Sequence, residues 1–164
     1  MTTNAFIFAR GGSKGLPKKN IKLLADKPLI CYSIEVAKKV TGIQNVFVST
    51  DDKEIANVAY GAGAIVIERP IELAQDNSPE WLAWRHAIEF VEHKYGPFDV
   101  FVSLPPTSPL RNVEDVESAI LKRKKENADV CISVTEAARS PFFNMVKLNE
   151  NGFFQVVNSN SNII

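Results

Sequence analysis

Asn4-Ala5-Phe6-Ile7-Phe8-Ala9-Arg10-Gly11-Gly12-Ser13-Lys14-Gly15 is the stretch on which the fold turns. Its first half is an almost uninterrupted apolar run that stops at a glycine loop. Strands with one wet face alternate, so a continuous run predicts a central parallel strand buried on both faces. Downstream, the pattern repeats as strand then helix. Residues 29–40 place Leu29, Ile30, Ile34, Val36, Ala37 and Val40 on one half of a helical wheel, as a helix packed on a sheet requires. Residues 45–50 read as a second strand. Asp51-Asp52 then suits a helix start, with Asp51 the expected N-cap, and that helix ends near Gly61-Ala62-Gly63. Residues 64–67 read as a third strand. Ser78-Pro79-Glu80 predicts Ser78 as N-cap and Pro79 at the first helical position, with Trp81, Trp84, Ile88, Val91 and Tyr95 as the buried stripe. Residues 99–104 make a fourth strand, stopped by Pro105-Pro106 because proline has no N–H for a ladder. Asn112 caps a further helix, with Glu114 and Asp115 in its first turn and Lys122-Arg123-Lys124-Lys125 at its end, a charge order that suits the helix dipole. Residues 129–134 read as a fifth strand. The fold class expected is α/β, a doubly wound, mostly parallel sheet with right-handed crossovers.

Beyond Val134 the alternation stops. Residues 142–148 and 153–157 read as a hairpin around Asn149-Glu150-Asn151-Gly152, where Asn-Gly is a strong turn signal. The polar run Asn158-Ser159-Asn160-Ser161-Asn162 has nothing to pack. A domain ending on a loop looks unfinished, so residues 1–164 are expected to be one domain of a longer protein.

The 164 residues, 45% hydrophobic and 23% charged, are enough for one sizeable core. Lys+Arg and Asp+Glu both total 19, which excludes a protein-wide electrostatic grip on nucleic acid or an anionic membrane. No apolar run approaches the ~20 residues of a membrane span, and residues 1–4 carry no charged leader. Cys31 and Cys131 lie far apart among apolar neighbours, giving neither a disulfide framework nor a zinc spacing. A cytoplasmic setting is expected. His86 and His93 are read as solvated, too far apart for an H-E-x-x-H pair.

Against that neutral background, Arg10-Gly11-Gly12-Ser13-Lys14-Gly15-Leu16-Pro17-Lys18-Lys19-Asn20 concentrates four cations and no acid. Glycines let backbone N–H groups approach a ligand, while Lys and Arg supply charge and forked donors to phosphate oxygens. Ligands in open α/β sheets bind beyond the carboxyl ends of the strands, where this loop leaves. Polyphosphate binding is therefore favoured over a solvated basic turn. Neither the Walker loop nor the dinucleotide fingerprint fits, because Lys14 precedes Gly15 and the glycines fall at 11, 12 and 15.

Thr107, Ser108 and Arg111 follow the fourth strand on a proline-stiffened loop. In a sheet ordered 3-2-1-4 it stands beside the glycine loop at the switch point. Sugar or carboxylate recognition and a rigid connector are equally open readings. Arg69 and Asp76 bracket the loop after the third strand, and either reach a base or ribose or form a surface ion pair.

Ala9 to Asn20, with Val48-Ser49-Thr50-Asp51, Arg69-Pro70-Ile71-Glu72-Leu73-Ala74-Gln75-Asp76 and Pro106-Thr107-Ser108-Pro109-Leu110-Arg111, resembles the acylneuraminate cytidylyltransferases, or CMP-sialic acid synthetases. The resemblance implies a Rossmann-like fold of the nucleotide-diphospho-sugar transferase type. It also implies a Mg2+-dependent transfer of CMP from CTP to a nonulosonic acid, releasing pyrophosphate. On its terms Arg10 and Lys19 are the catalytic residues, and Ala9, Arg10, Gly11, Gly12, Ser13, Lys14, Asn20, Arg69 and Ser78 bind the nucleotide. Thr107, Ser108 and Arg111 face the sugar acid. The family commonly has Gln where this chain has Pro105, so the acceptor is open among bacterial nonulosonic acids. The family's Asp-x-Asp magnesium pair does not occur in these residues, so metal ligands are expected outside the chain. A homodimer is implied, with residues 140–164 the start of a dimerisation projection. Two other readings stay open: a noncatalytic or truncated nucleotide-binding module, and a nucleotidyltransferase using another base.

Overall fold

The apolar run at the start of the chain forms β1 (Thr3–Phe8), an inner strand of a four-stranded parallel sheet. It pairs with β4 (Ile43–Thr50) on one side and β6 (Val100–Ser103) on the other, and β4 pairs in turn with β5 (Ile65–Glu68). The order β5-β4-β1-β6 is the 3-2-1-4 arrangement expected of the four strands. A small antiparallel ribbon of β2 (Leu23–Leu24) and β3 (Lys27–Pro28) precedes α1 (Leu29–Lys39). Helices α2 (Lys53–Gly61) and α3 (Glu80–Tyr95) make the next two crossovers, and α4 (Val113–Lys125) follows β6. The computed structural model describes residues 1–142 and 144–158. Its backbone divides into two units, Met1–Asp129, which holds these elements, and Val130–Ile164.

Successive side chains of a strand point to opposite faces, and β1 uses both. Ala5 and Ile7 pack with Ile30, Ile34 and Ala37 of α1, Ile55 and Ala59 of α2 and Val116 of α4. Phe6 packs on the other face with Phe47, Ile67 and the α3 residues Ala87 and Val91. The sheet is thus covered on both sides, as the continuous apolar run requires.

The buried stripe of α3 differs from expectation. Ala83, Ala87 and Val91 face the sheet, whereas Trp81 and Tyr95 are 53% and 45% exposed. The cause lies on the sheet: the Phe6 ring centroid is 4.5 Å from Phe101, 5.3 Å from Phe47 and 5.5 Å from Phe98. Aromatic rings already fill the interlayer space, so the helix that covers them presents small residues. Trp84 packs at the margin of this cluster, 5.4 Å from the Phe101 ring. His93 is exposed as expected, but His86 is half-buried, and its Nδ1 has no partner among the described residues.

Local signals elsewhere hold to different degrees. Asn112 and Asp115 form a reciprocal capping box on α4. Ser78 does not cap α3: the helix begins after Pro79, and the Ser78 hydroxyl instead donates to the Glu72 carbonyl at 2.5 Å. Residues 129–134 do not form the fifth strand. Val130, Ile132 and Val134 are 73%, 73% and 84% exposed, and Cys131 is half-buried outside any strand. Strand propensity is realised only against a partner, and none of the described residues pairs with this segment.

In the second unit, β7 (Val146–Leu148) and β8 (Phe154–Val156) form the expected antiparallel hairpin. The Asn149 side-chain oxygen accepts the N–H groups of Asn151 and Phe153 at 3.0 and 2.9 Å, and Gly152 takes φ 78°. The side chain thus closes the turn on its own backbone. Residues 159–162 of the polar run lie outside the described residues.

Candidate active site

Beyond β1 the backbone is stitched to the end of β4. The Ala9 N–H donates to the Ser49 carbonyl at 3.1 Å and the Gly11 N–H to Asp51 Oδ1 at 3.0 Å. Ala9, 1% exposed, therefore backs the loop. Asp51 is not the N-cap of α2. Its neighbour Asp52 takes that role, accepting the Ile55 N–H at 2.9 Å, so one carboxylate starts the helix and the other anchors the loop. Both uses depend on Gly11, where a Cβ would stand 2.7 Å from Asp52 Oδ2. Gly11→Ala is expected to displace the capping carboxylate and to lower stability by about 0.5–2 kcal/mol, the range for a lost N-cap, measured by urea unfolding. A Cβ at Gly12 or Gly15 would meet nothing within 4 Å.

The loop returns through a 3-10 turn at Lys19–Ile21. Asn20, 7% exposed, donates from Nδ2 to the Arg10 carbonyl at 3.0 Å and so ties the two ends of the loop together. The result is a cleft of about 570 Å³ at the carboxyl edge of the sheet. Arg10, Ser13, Lys14, Lys19 and Asn20 line it together with Pro105, Pro106 and Thr107, so the glycine loop and the proline loop do face one crevice. Gly11 and Gly12 open instead on an adjoining cleft of about 460 Å³, which shares Ser13, Lys14 and Asp76 with the first. Phe8, Glu80 and Ser103 also line the main cleft. No local motif marks these three, which converge through strand register and the α3 crossover.

Three of the four loop cations are already paired. Arg10 Nη2 lies 2.9 Å from Asp76 Oδ1, and Lys14 Nζ binds the other oxygen of the same carboxylate. Lys18, at φ 54°, turns outward to Glu54 at 2.7 Å. Lys19 makes no ion pair among the described residues and lines the cleft. The hydrogen bond from Lys14, reinforced by its charge and by Arg10, holds the Asp76 carboxyl below the usual carboxylate range. This dual contact is the feature that sequence reasoning missed, since nothing local to Asp76 names its partners.

The remaining candidates lie behind or beside the cleft. Arg69 is 8% exposed; its Nε donates to Ser49 Oγ at 3.1 Å and its Nη2 to the Ser49 carbonyl at 2.7 Å, with the guanidinium 5.6 Å from the Phe8 ring. Burial lowers its pKa, and the charges of Asp51 and Glu80 act the other way. Because the Ser49 carbonyl also receives Ala9, Arg69 braces the start of the glycine loop. Ser78 holds the loop before α3. Arg111 donates to Ser33 Oγ at 3.4 Å and to the Pro105 carbonyl at 3.3 Å, and the Ser33 hydroxyl donates to that same carbonyl at 3.1 Å. Arg111 thereby fastens the proline loop to α1. Ser108 forms part of the successive turns from Pro105 to Arg111, its N–H meeting the Pro105 carbonyl at 3.4 Å.

A parallel sheet in this order, with a cationic glycine loop at its carboxyl edge, defines a Rossmann-like α/β domain with its ligand cleft at the strand ends. The chain belongs to the cytidylyltransferase family, whose model matches residues 5–163. It is 37% identical over 134 residues to an N-acylneuraminate cytidylyltransferase of Escherichia coli, a match that covers 81% of this chain and 31% of the relative. To a CMP-N,N'-diacetyllegionaminic acid synthase of Legionella pneumophila it is 39% identical over 142 residues, covering 84% and 59%. The solved structure of a CMP:2-keto-3-deoxy-manno-octonic acid synthetase complexed with CTP superposes with a TM-score of 0.65 at 24% identity, covering 78% of this chain and 49% of that one. That likeness establishes the fold. The chain spans less than two thirds of the length of each of these proteins.

Proposed function

We propose that this chain carries the CTP-binding part of a cytidylyltransferase that transfers CMP to the anomeric hydroxyl of a nonulosonic acid. The observation that carries the reading is the convergence of Arg10, Ser13, Lys14, Lys19 and Thr107 on one cleft, in a chain that belongs to this family. The hydroxyl oxygen attacks the α-phosphorus and gives up its proton to water, the bond from that phosphorus to the bridging oxygen breaks, and pyrophosphate leaves with the electron pair. Arg10, Lys14 and Lys19 offset the charge that builds on the phosphoryl oxygens and the departing pyrophosphate. Gly11 and Gly12 extend the nucleotide site into the adjoining cleft that shares Ser13 and Lys14, Ala9 and Arg69 brace the loop, and Asn20 closes it. Ser78 shapes the base side, and Thr107, Ser108 and Arg111 form the acceptor side, with Arg111 acting through the loop it holds.

Among the described residues no three metal-ligating side chains converge, and the Asp76 oxygens are taken by Arg10 and Lys14. With Asp76 so paired, these residues do not fit the magnesium that the family resemblance implies, and we place its ligands outside them. No described helix is long and apolar enough to cross a membrane. The free thiols Cys31 and Cys131 suit a reducing cytoplasm, where we place the reaction. The hairpin exposes Leu148, Phe153 and Phe154 at 62%, 70% and 72%, which supports residues 140–164 as a dimerisation surface of a single nucleotidyltransferase domain.

Calorimetric titration of the chain with CTP, UTP, GTP and ATP tests base choice, and pyrophosphate release with magnesium and a sialic-type acid tests turnover. CTP is expected to bind tightest. Stronger binding of another nucleotide would make this a nucleotidyltransferase of different base. CTP binding without pyrophosphate release under any sugar acid would leave a nucleotide-binding module.

A further inference from the structure

Asp76 sits where an incoming anion would go. Its two carboxylate oxygens are divided between Arg10 and Lys14, two of the cations that line the main cleft, and its side chain is 44% exposed. It is carried by the loop that follows the 3-10 turn at Ile71–Ala74, not by the glycine loop itself. The geometry points to Asp76 as an internal counter-anion, which holds Arg10 and Lys14 in place while the cleft is empty and is exchanged for phosphate when a polyphosphate binds. The inference rests on the phosphate-binding reading of this cleft and adds to it the group that the ligand must displace.

Exchange is a competition between two anions for the same donors. Each N–H donor of these cations serves one anion at close range, and the carboxylate and an incoming phosphate oxygen compete for the N–H groups that Asp76 now holds. Exposed ion pairs are weak, each worth a few-fold in an equilibrium constant at most, so a multiply charged phosphate chain displaces one carboxylate readily. In the empty state the same pairs keep two long side chains from scattering into solvent, which lowers the ordering cost on binding. The exchange frees the Asp76 side chain, while the Ser78 hydroxyl keeps its loop tied to the Glu72 carbonyl.

Exchange has a signature that a fixed acid does not share. The internal pair weakens every displacing ligand by the same factor, because that factor belongs to the free protein. A carboxylate that stayed in place would instead repel each ligand in proportion to its charge. The test measures binding of inorganic phosphate, pyrophosphate and triphosphate, in chelator and without magnesium, to the wild-type chain, Asp76→Asn and Asp76→Glu. Asp76→Asn is expected to tighten all three by a similar factor, about three- to tenfold from two exposed pairs, and Asp76→Glu, which keeps the charge, to recover most of the wild-type weakening. Unchanged or weaker binding to Asp76→Asn, or a gain that grows with ligand charge, overturns the exchange while leaving the phosphate site intact. Failure of all three ligands to bind either the wild type or Asp76→Asn, each with a cooperative unfolding transition, removes the phosphate site itself and the exchange with it.

Discussion

Arg10→Ala is expected to weaken CTP binding by about 1.5–3 kcal/mol, the range for hydrogen bonds to charged groups, or roughly ten- to 150-fold in affinity. The side chain leaves the carboxyl end of β1, lines the cleft and already binds one carboxylate at 2.9 Å, so its geometry is set for an oxyanion. Removing it also breaks that pair in the free protein, which places the net loss toward the lower end. Lys122→Ala is the control. Lys122 is exposed in the last turn of α4, and its loss is expected to change CTP affinity by less than twofold. Calorimetric titration of both variants decides the matter: equal losses would mean that the basic site is misplaced, and no loss from Arg10→Ala would remove this residue from it.

The largest effect on stability is expected from Phe6→Ala, about 3–5 kcal/mol by urea unfolding, as for large-to-small aromatic substitutions in cores. Phe6 is 1% exposed and packs with the rings of Phe8, Phe47, Phe98 and Phe101. Its strand lies between β4 and β6, so neighbouring strands hold the cavity walls apart and limit collapse onto the gap. The α3 face cannot refill it, because Ala87 and Val91 have no reach. A loss near 1 kcal/mol would mean that the aromatic layer repacks freely and does not define the spacing of α3 from the sheet. Both predictions concern one strand: Phe6 fixes it in the core, and Arg10 follows where it opens into the site.

Much of this was legible along the chain. The unbroken run at residues 4–9 specified a strand covered on both faces, and the charge order of α4 and the Asn149 to Gly152 turn specified their own ends. Glycines and cations concentrated after the first strand marked the cleft, because composition and position along an α/β alternation are both local properties. Tertiary structure decided the rest. Whether Trp81 or Ala83 faces the sheet depended on the phenylalanines opposite, which periodicity within one helix does not register. Residues 129–134 carry strand propensity, but a strand exists only with a partner edge. Asp51 and Asp52 are alike in sequence, and only the approach of Gly11 assigned one to the loop and the other to the helix. Likewise Asp76 meets Arg10 and Lys14, and Arg111 meets Ser33, across crossovers that bring distant segments to one edge of the sheet. Propensity, capping and turn chemistry act over a few residues and can be read in order; partner choice follows from packing, which the order of residues alone does not display.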